Sequence, residues 1–363
     1  MSIPSTMPMT MSAARSSAWR SRVIALVLLL GIGGYFWVGS RYPSLLKKYH
    51  AGTHVKAAGA LTFDMLYPVE ASMPLAQRVW RTTLNWLNAN RIGMTFAFFF
   101  GPAALTFVSL LPRRRTKSPY LNALLGTLAG MPLGVCANCV APIGRGFYAS
   151  GMSTESVLAA MFSSPALNVV VLAMTFALFP MQLVLLKLAT VLLLIFVFAP
   201  WVGARQPTPA FADAGSPIDL PSTQTWAQVL SETLKSYAKN FWIVFRVAFP
   251  LMLLAAFLGA LAIETIPTQS LYAPVSIAGI LFLAIVGAFL PVPMGFDVVI
   301  AYIAMSHGVP LPYVAVILCT LGIYSVYSAA VVGKTISWKI AAATFAAVAV
   351  LGAAAGFATR FFA

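Results

Sequence analysis

Four long stretches of this chain, Val23 to Val38, Ile92 to Leu111, Val275 to Leu290 and Ile340 to Phe357, contain no charged side chain. Met181 to Ala199 and Phe241 to Ile263 are nearly as apolar. About 20 apolar residues in a helix cross the hydrocarbon core of a bilayer, and backbone in lipid must satisfy its own polar groups. Such runs therefore dictate membrane helices before any motif is considered. Composition agrees: of 363 residues, 60% are hydrophobic and 9% charged, against about a quarter charged in soluble domains. With the interrupted segments Leu121 to Val135, Val157 to Phe179 and Pro312 to Val331, the pattern predicts an all-α, polytopic transmembrane bundle of about eight to ten spans.

The net charge of +15 does not indicate nucleic acid, because of where the cations lie. Arg15, Arg20 and Arg22 precede the first run, and Arg113 to Lys117 follow the second. By the positive-inside bias both flanks are cytoplasmic, which places the N-terminus inside and residues 41–90 outside the membrane. That segment carries Arg41, Lys47, Lys48, Lys56, Arg78 and Arg81, more basic than the bias favours. No small-x-small site closes the first run at "FWVGSRYP", so it reads as an uncleaved anchor. Three cysteines provide no disulfide framework.

The proline-rich stretch Gly203 to Thr225 separates two hydrophobic blocks. The expected organisation is a tail and anchor (1–40), an extramembrane segment (41–90), a first transmembrane repeat (91–202), a polar linker with an amphipathic stretch (203–240) and a second repeat (241–363). A shift of 157 residues lays Gly130 on Gly287, Gly151 on Gly308 and Val157 on Val314. It also lays "MFSSPALN" on "LCTLGIYS". Each block meets a Pro/Gly break, continues as a short segment, turns at glycine and reaches a second polar break. Paired interrupted segments in two halves point to a transporter site near the membrane midplane, because non-helical backbone survives there only inside protein or along a water-filled path. The four expected breaks are Gly130 to Pro142, Ser163 to Asn168, Pro291 to Asp297 and Thr320 to Ser325.

The combination of Cys136, Cys139 and Pro142 in one break, Gly151 at the turn and "SSPALN" from Ser163 to Asn168 resembles the ArsP-type predicted permeases. "LPVPMGFD" and "LGIYS" match the second half of that pattern. The resemblance spans about residues 91–358 without the linker. It implies an inner-membrane exporter, with members linked to trivalent organoarsenicals and others proposed to move soft or transition metals. The family more often spaces its thiols Cys-x-Cys-Gly, whereas here the run is Cys136-Ala137-Asn138-Cys139.

Thiolates are soft ligands for As(III), Cu(I) or Zn, and residues three apart share one helix face. Cys136 and Cys139 are therefore the candidate ligands of a thiophilic cargo, set against the alternative of small buried hydrophobes. Cys319 is a core thiol or a third ligand from the other half. Asn138, Ser163, Ser164, Asn168, Thr320 and Ser325 either cap freed backbone or line the path, and Pro142 and Pro293 shape the breaks. Asp297 is an N-cap or an ion-coupling carboxylate. Arg145 holds an anion or balances a thiolate, or else is an interfacial cation, Glu155 belongs to a helix start, and Glu264, Arg246 and Lys187 read as interfacial. His50 and His54, four apart, read as exposed loop residues rather than a metal site.

No G-x-x-x-x-G-K-[ST] is present, hence no ATP motor within the chain. The leading reading is a secondary exporter of a small soft solute, working in the lipid bilayer by alternating access, with no resident cofactor. The rival is a membrane thiol oxidoreductase using Cys136 and Cys139 as a redox pair. A scaffold that recruits partners through its basic loops is the third.

Overall fold

The computed structural model describes residues 7–43, 46, 66–70, 72–110, 118–206, 225–265 and 274–359, with side chains from residue 19 onward except at Val108. Among these residues the chain is all helical and has no strand. His50, His54, Arg113 to Lys117 and most of the proline-rich linker lie outside the described residues.

Helix α1 (Met7–Phe36) ends in a π turn, Trp37–Arg41. The first block follows as α2 (Leu75–Ser109), α3 (Pro119–Gly130), α4 (Ala137–Ala149), α5 (Thr154–Ala166), α6 (Val169–Leu178) and α7 (Met181–Gly203). The second block is α8 (Trp226–Thr265), α9 (Ile277–Phe289), α10 (Phe296–Ser306), α11 (Leu311–Thr320), α12 (Val326–Thr335) and α13 (Trp338–Ala358). The 157-residue shift carries α2 through α7 onto α8 through α13, element by element and in order. Helix α6 falls on α12 residue for residue. Gly151 and Gly308 share the positive φ, 90° and 80°, that turns the chain after α4 and α10, a backbone conformation that costs glycine little. Helices α2 and α8 extend well beyond the apolar runs, starting at Leu75 and Trp226 rather than near residues 91 and 241.

Four described helices are long and apolar enough to cross a bilayer, or five if the bent pair α5 and α6, meeting at 48°, is one span. The other apolar segments are short helices, among them α9, α10 and α11. Short helices need caps, since each end exposes unpaired N–H groups. Ser118, Asn168, Ser276, Ser325 and Ser337 supply them to α3, α6, α9, α12 and α13.

The two cores interleave the halves. The core around α4 and α5 takes in Tyr324, Tyr327 and Val331 from the fourth break and α12. The core around α10 and α11 takes in Val170, Val171, Met174, Leu183 and Val184 from α6 and α7. Each half thus lends its last short helix to the other, with α12 packed on α4 and α6 on α10.

Helices α3 and α5 meet through Gly126 and Gly130, one turn apart as in a small-xxx-small contact. A methyl at Gly126 would strike the Ser156 backbone, and one at Gly130 the Ala160 backbone. Gly126→Val is therefore expected to lower the unfolding midpoint of the detergent-solubilised protein, by about 1–3 kcal/mol of overpacking. An unchanged midpoint would show that this contact is loose.

Candidate functional site

All four expected breaks exist, but not every proline marks one. The first spans residues 131–136: a 3-10 turn at Met131–Leu133, Gly134 at φ 54° and then Cys136 as the N-cap of α4. Pro142 lies inside α4, and Pro165 inside α5. This corrects the expectation that the chain breaks at Pro142. Pro142 is the sixth of the thirteen residues of α4 and forfeits the ladder bond to the Asn138 carbonyl, which its ring also crowds, yet the helix, packed against α2, α5 and α12, continues through it. The second break is at residues 167–168, the third at 290–295 with Pro293 in it, and the fourth at 321–325.

Hydrogen bonds join all four, and Asn138 is the hub. Its Nδ2 donates to the Val292 carbonyl in the third break at 3.1 Å, and its Oδ1 accepts from Ser325 Oγ in the fourth at 2.7 Å. Ser328 Oγ donates to the Ala137 carbonyl at 2.9 Å. Ser164, just before the second break, exchanges hydrogen bonds with both backbone groups of Val135 in the first. Trp86 of α2 donates its indole N–H to the Pro291 carbonyl. Backbone freed by the breaks is therefore satisfied by side chains, at Pro291 and Val292 from the opposite half and at Val135 from the same half, as burial requires. Asn138, Cys136, Cys139, Val292 and Ser325 are all buried.

The two thiols lie at the start of α4 as free cysteines. Cys136 Sγ accepts from the Cys139 amide at 3.2 Å, capping the helix, and approaches Asn90 Oδ1 at 3.5 Å. A methyl at Gly93 of α2 would meet Cys139 Sγ at 2.8 Å and Arg41 Nη2 at 3.9 Å. Arg41, closing the π turn of α1, thus reaches the thiol pair. Its guanidinium stacks on Phe36 at 4.6 Å, and its buried Nε has no hydrogen-bond partner among the described residues. Trp37 fastens the π turn to the first break through Pro132 O at 2.6 Å. Arg41, Trp86 and Asn90 belong to the expected external segment 41–90; the structure brings Arg41 and Asn90 to the thiols and Trp86 to the third break. The available signal was the single Arg closing the first apolar run, which reads equally well as an interfacial anchor.

The other candidates separate from this cluster. Asn168 donates to Ser164 O and Pro165 O and accepts from the amides of Val170 and Val171. Four bonds exhaust an amide's capacity, so Asn168 seals the α5–α6 bend and has none left for cargo. Ser163 bonds Thr127 O and Ala160 O, at the α3–α5 contact. Thr320 bonds back to Val316 O within α11. Arg145 donates to Thr335 Oγ1 at 3.1 Å, at the end of α12, and Asn122 donates to Glu155 at 2.7 Å in the first turn of α5. Glu264 pairs with Arg78 at 3.0 Å at the partly exposed ends of α8 and α2.

Lys187 contradicts its reading as interfacial. It sits within α7, 2% exposed, and pairs with Asp297 in the first turn of α10. Gly295 holds the N-cap position, so Asp297 is not the cap. Cys319 on α11 is buried within electrostatic reach of this pair. No three His, Cys, Asp or Glu residues come together as a metal centre among the described residues.

Residues 93–361 match the ArsP_1 family, described as predicted permeases. The chain belongs to that family. This permease is also 27% identical over 251 residues to the UPF0718 protein YraQ of Escherichia coli (strain K12), covering 68% of this chain and 70% of that protein. No solved structure matches it. Membership in a permease family supports a multi-pass membrane transporter, and the interleaved halves and buried broken helices supply the framework for that role.

Proposed function

We propose that this permease exports a thiophilic small solute, a trivalent organoarsenical or a soft transition-metal ion, by alternating access driven by an ion gradient. The observation that carries the reading is the pair of free thiols at the start of a buried broken helix, Cys136 as its N-cap and Cys139 in its first turn, with Arg41 beside them. Sulfur binds soft centres and discriminates against hard cations. Broken helices at depth are the sites at which secondary transporters hold substrate. The halves enclose the thiols here, so cargo reaches them when the halves rock apart. Arg41 balances the negative charge that develops as thiols become thiolate ligands.

Residues 75–203 and 226–358 act as the two repeats, in an inner membrane with the N-terminus cytoplasmic. A cysteine introduced near His54 is expected to react with an impermeant maleimide from outside, and one near Arg114 is not. The reverse pattern would invert the direction of transport as well.

The test of cargo uses everted vesicles and a panel of As(III), methylarsenite, Cu(I), Zn(II) and an unrelated amphiphile, with and without an imposed proton gradient. Uptake confined to the thiophilic members supports the reading. Equal uptake of the amphiphile, or thiol oxidation without uptake, would replace it with a non-selective carrier or an oxidoreductase.

A further inference from the structure

We propose that Lys187 and Asp297 form the proton-coupling site of this permease: a proton competes with Lys187 for the Asp297 carboxylate, and its arrival releases α10 from α7. The inference rests on the transport reading above, but its test does not use cargo.

Among the described residues this is the ion pair with both side chains buried, at 2% and 6% exposure, whereas the other two are partly or largely exposed. Buried ion pairs are costly relative to apolar packing and, in membrane segments, mark ion pathways and relays. The fold itself does not require charge here. Under the 157-residue shift Asp297 corresponds to Val140 and Lys187 to Thr344, so the matching positions in the same architecture are uncharged. The pair has been added to one half-interface only.

Its position joins it to the thiol junction. Asp297 follows the third break, whose Val292 carbonyl is held by Asn138. On its other side a methyl at Gly322 of the fourth break would touch Asp297 Cγ at 3.5 Å, and that break ends in Ser325, the second partner of Asn138. Movement of α10 away from α7 therefore pulls on both groups that fix Asn138. Charged or titratable groups facing Asp297 from neighbouring elements are Lys187 on α7 and Cys319 on α11. Helix α6 offers none, Tyr302 on α10 packs on Phe179, and Tyr313 on α11 bonds Ser276 and Pro274.

The step balances simply. One proton from water converts the carboxylate to the acid, and Lys187 keeps its own proton and turns toward the water that enters as the helices part. The paired, closed state binds one proton fewer at Asp297 than the open state, so falling pH favours opening.

Cys319 reports on this without cargo. With Cys136 and Cys139 replaced by alanine it is the one remaining thiol of the chain, and it is fully buried beside the pair. In proteoliposomes, its rate of reaction with N-ethylmaleimide is compared between that parent and the same protein carrying Asp297→Asn, which mimics the protonated acid. Taking the ratio at each pH cancels the thiol's own titration. The Asn variant is expected to react about tenfold faster at pH 8, about 1.4 kcal/mol of locking removed, with the ratio falling toward one as the pH is lowered and the parent's own carboxylate takes up its proton. Should the lone Lys187 prevent folding, the Lys187→Met/Asp297→Asn variant restores neutrality and gives the same comparison. A ratio near one at pH 8, or one that does not change with pH, would overturn the proposal and leave the pair as a static contact. Loss of cargo selectivity with an intact pH-dependent ratio would instead refute the thiophilic reading alone.

Discussion

Uptake of methylarsenite and As(III) into everted vesicles is expected to fall at least tenfold, about 1.4 kcal/mol of lost transition-state or binding stabilisation, when Cys136 and Cys139 are both replaced by alanine, with membrane abundance unchanged. Alanine removes both soft donors while filling most of the space of a small buried hydrophobe. The two thiols are not equivalent, however, and the difference separates ligation from structure. Cys136 Sγ caps α4 by accepting the Cys139 amide, so Cys136→Ala carries the cost of a lost cap, about 0.5–2 kcal/mol. Cys136→Ser restores that acceptor with a hard oxygen. The serine variant should therefore regain stability but not transport. Wild-type uptake by the double-alanine protein at normal abundance would reduce the thiols to packing residues.

The breaks were legible in the sequence because glycine, proline and uncharged polar residues in an apolar run have few alternative explanations. The 157-residue shift reached further than its few identities promised: it aligns Asn168 with Ser325, and both prove to be N-caps of matching helices. Pro142 misled because a proline inside a helix does not end it when packing on neighbouring helices holds the backbone in place, whereas Gly134 at φ 54° is what turns the chain. Lys187 was misread for a different reason. A lone cation in an apolar run snorkels to an interface unless an anion meets it, and its partner Asp297 lies 110 residues away on another helix. Arg41, Trp86 and Asn90 were lost with the boundary of the external segment, since α2 begins at Leu75 and carries polar residues to the thiols. What sequence periodicity cannot convey is which polar groups meet across halves, and that is where the site is built.

The Asn138 hub makes the sharpest structural demand. Asn138→Leu is nearly isosteric, but it strands the Val292 carbonyl in surroundings where water does not compensate, and it takes from the Ser325 hydroxyl its acceptor across the halves, leaving it Ser328 Oγ at 3.3 Å. A stranded buried group costs about 1–3 kcal/mol, and the variant is expected to lose about that much, read as the unfolding midpoint of the solubilised protein in denaturant. Ser325→Ala removes one bond to Asn138 together with the cap on α12. The decisive measurement is the double-mutant cycle. Once Asn138 is leucine, Ser325 has already lost its partner across the halves, so Ser325→Ala then costs the cap alone and the two effects fall short of their sum. A shortfall of about 0.5–3 kcal/mol is the size expected of groups in one hydrogen-bond network. Strict additivity would mean that the halves are not joined at Asn138, and with that the route from the Lys187–Asp297 pair to the thiols would be broken.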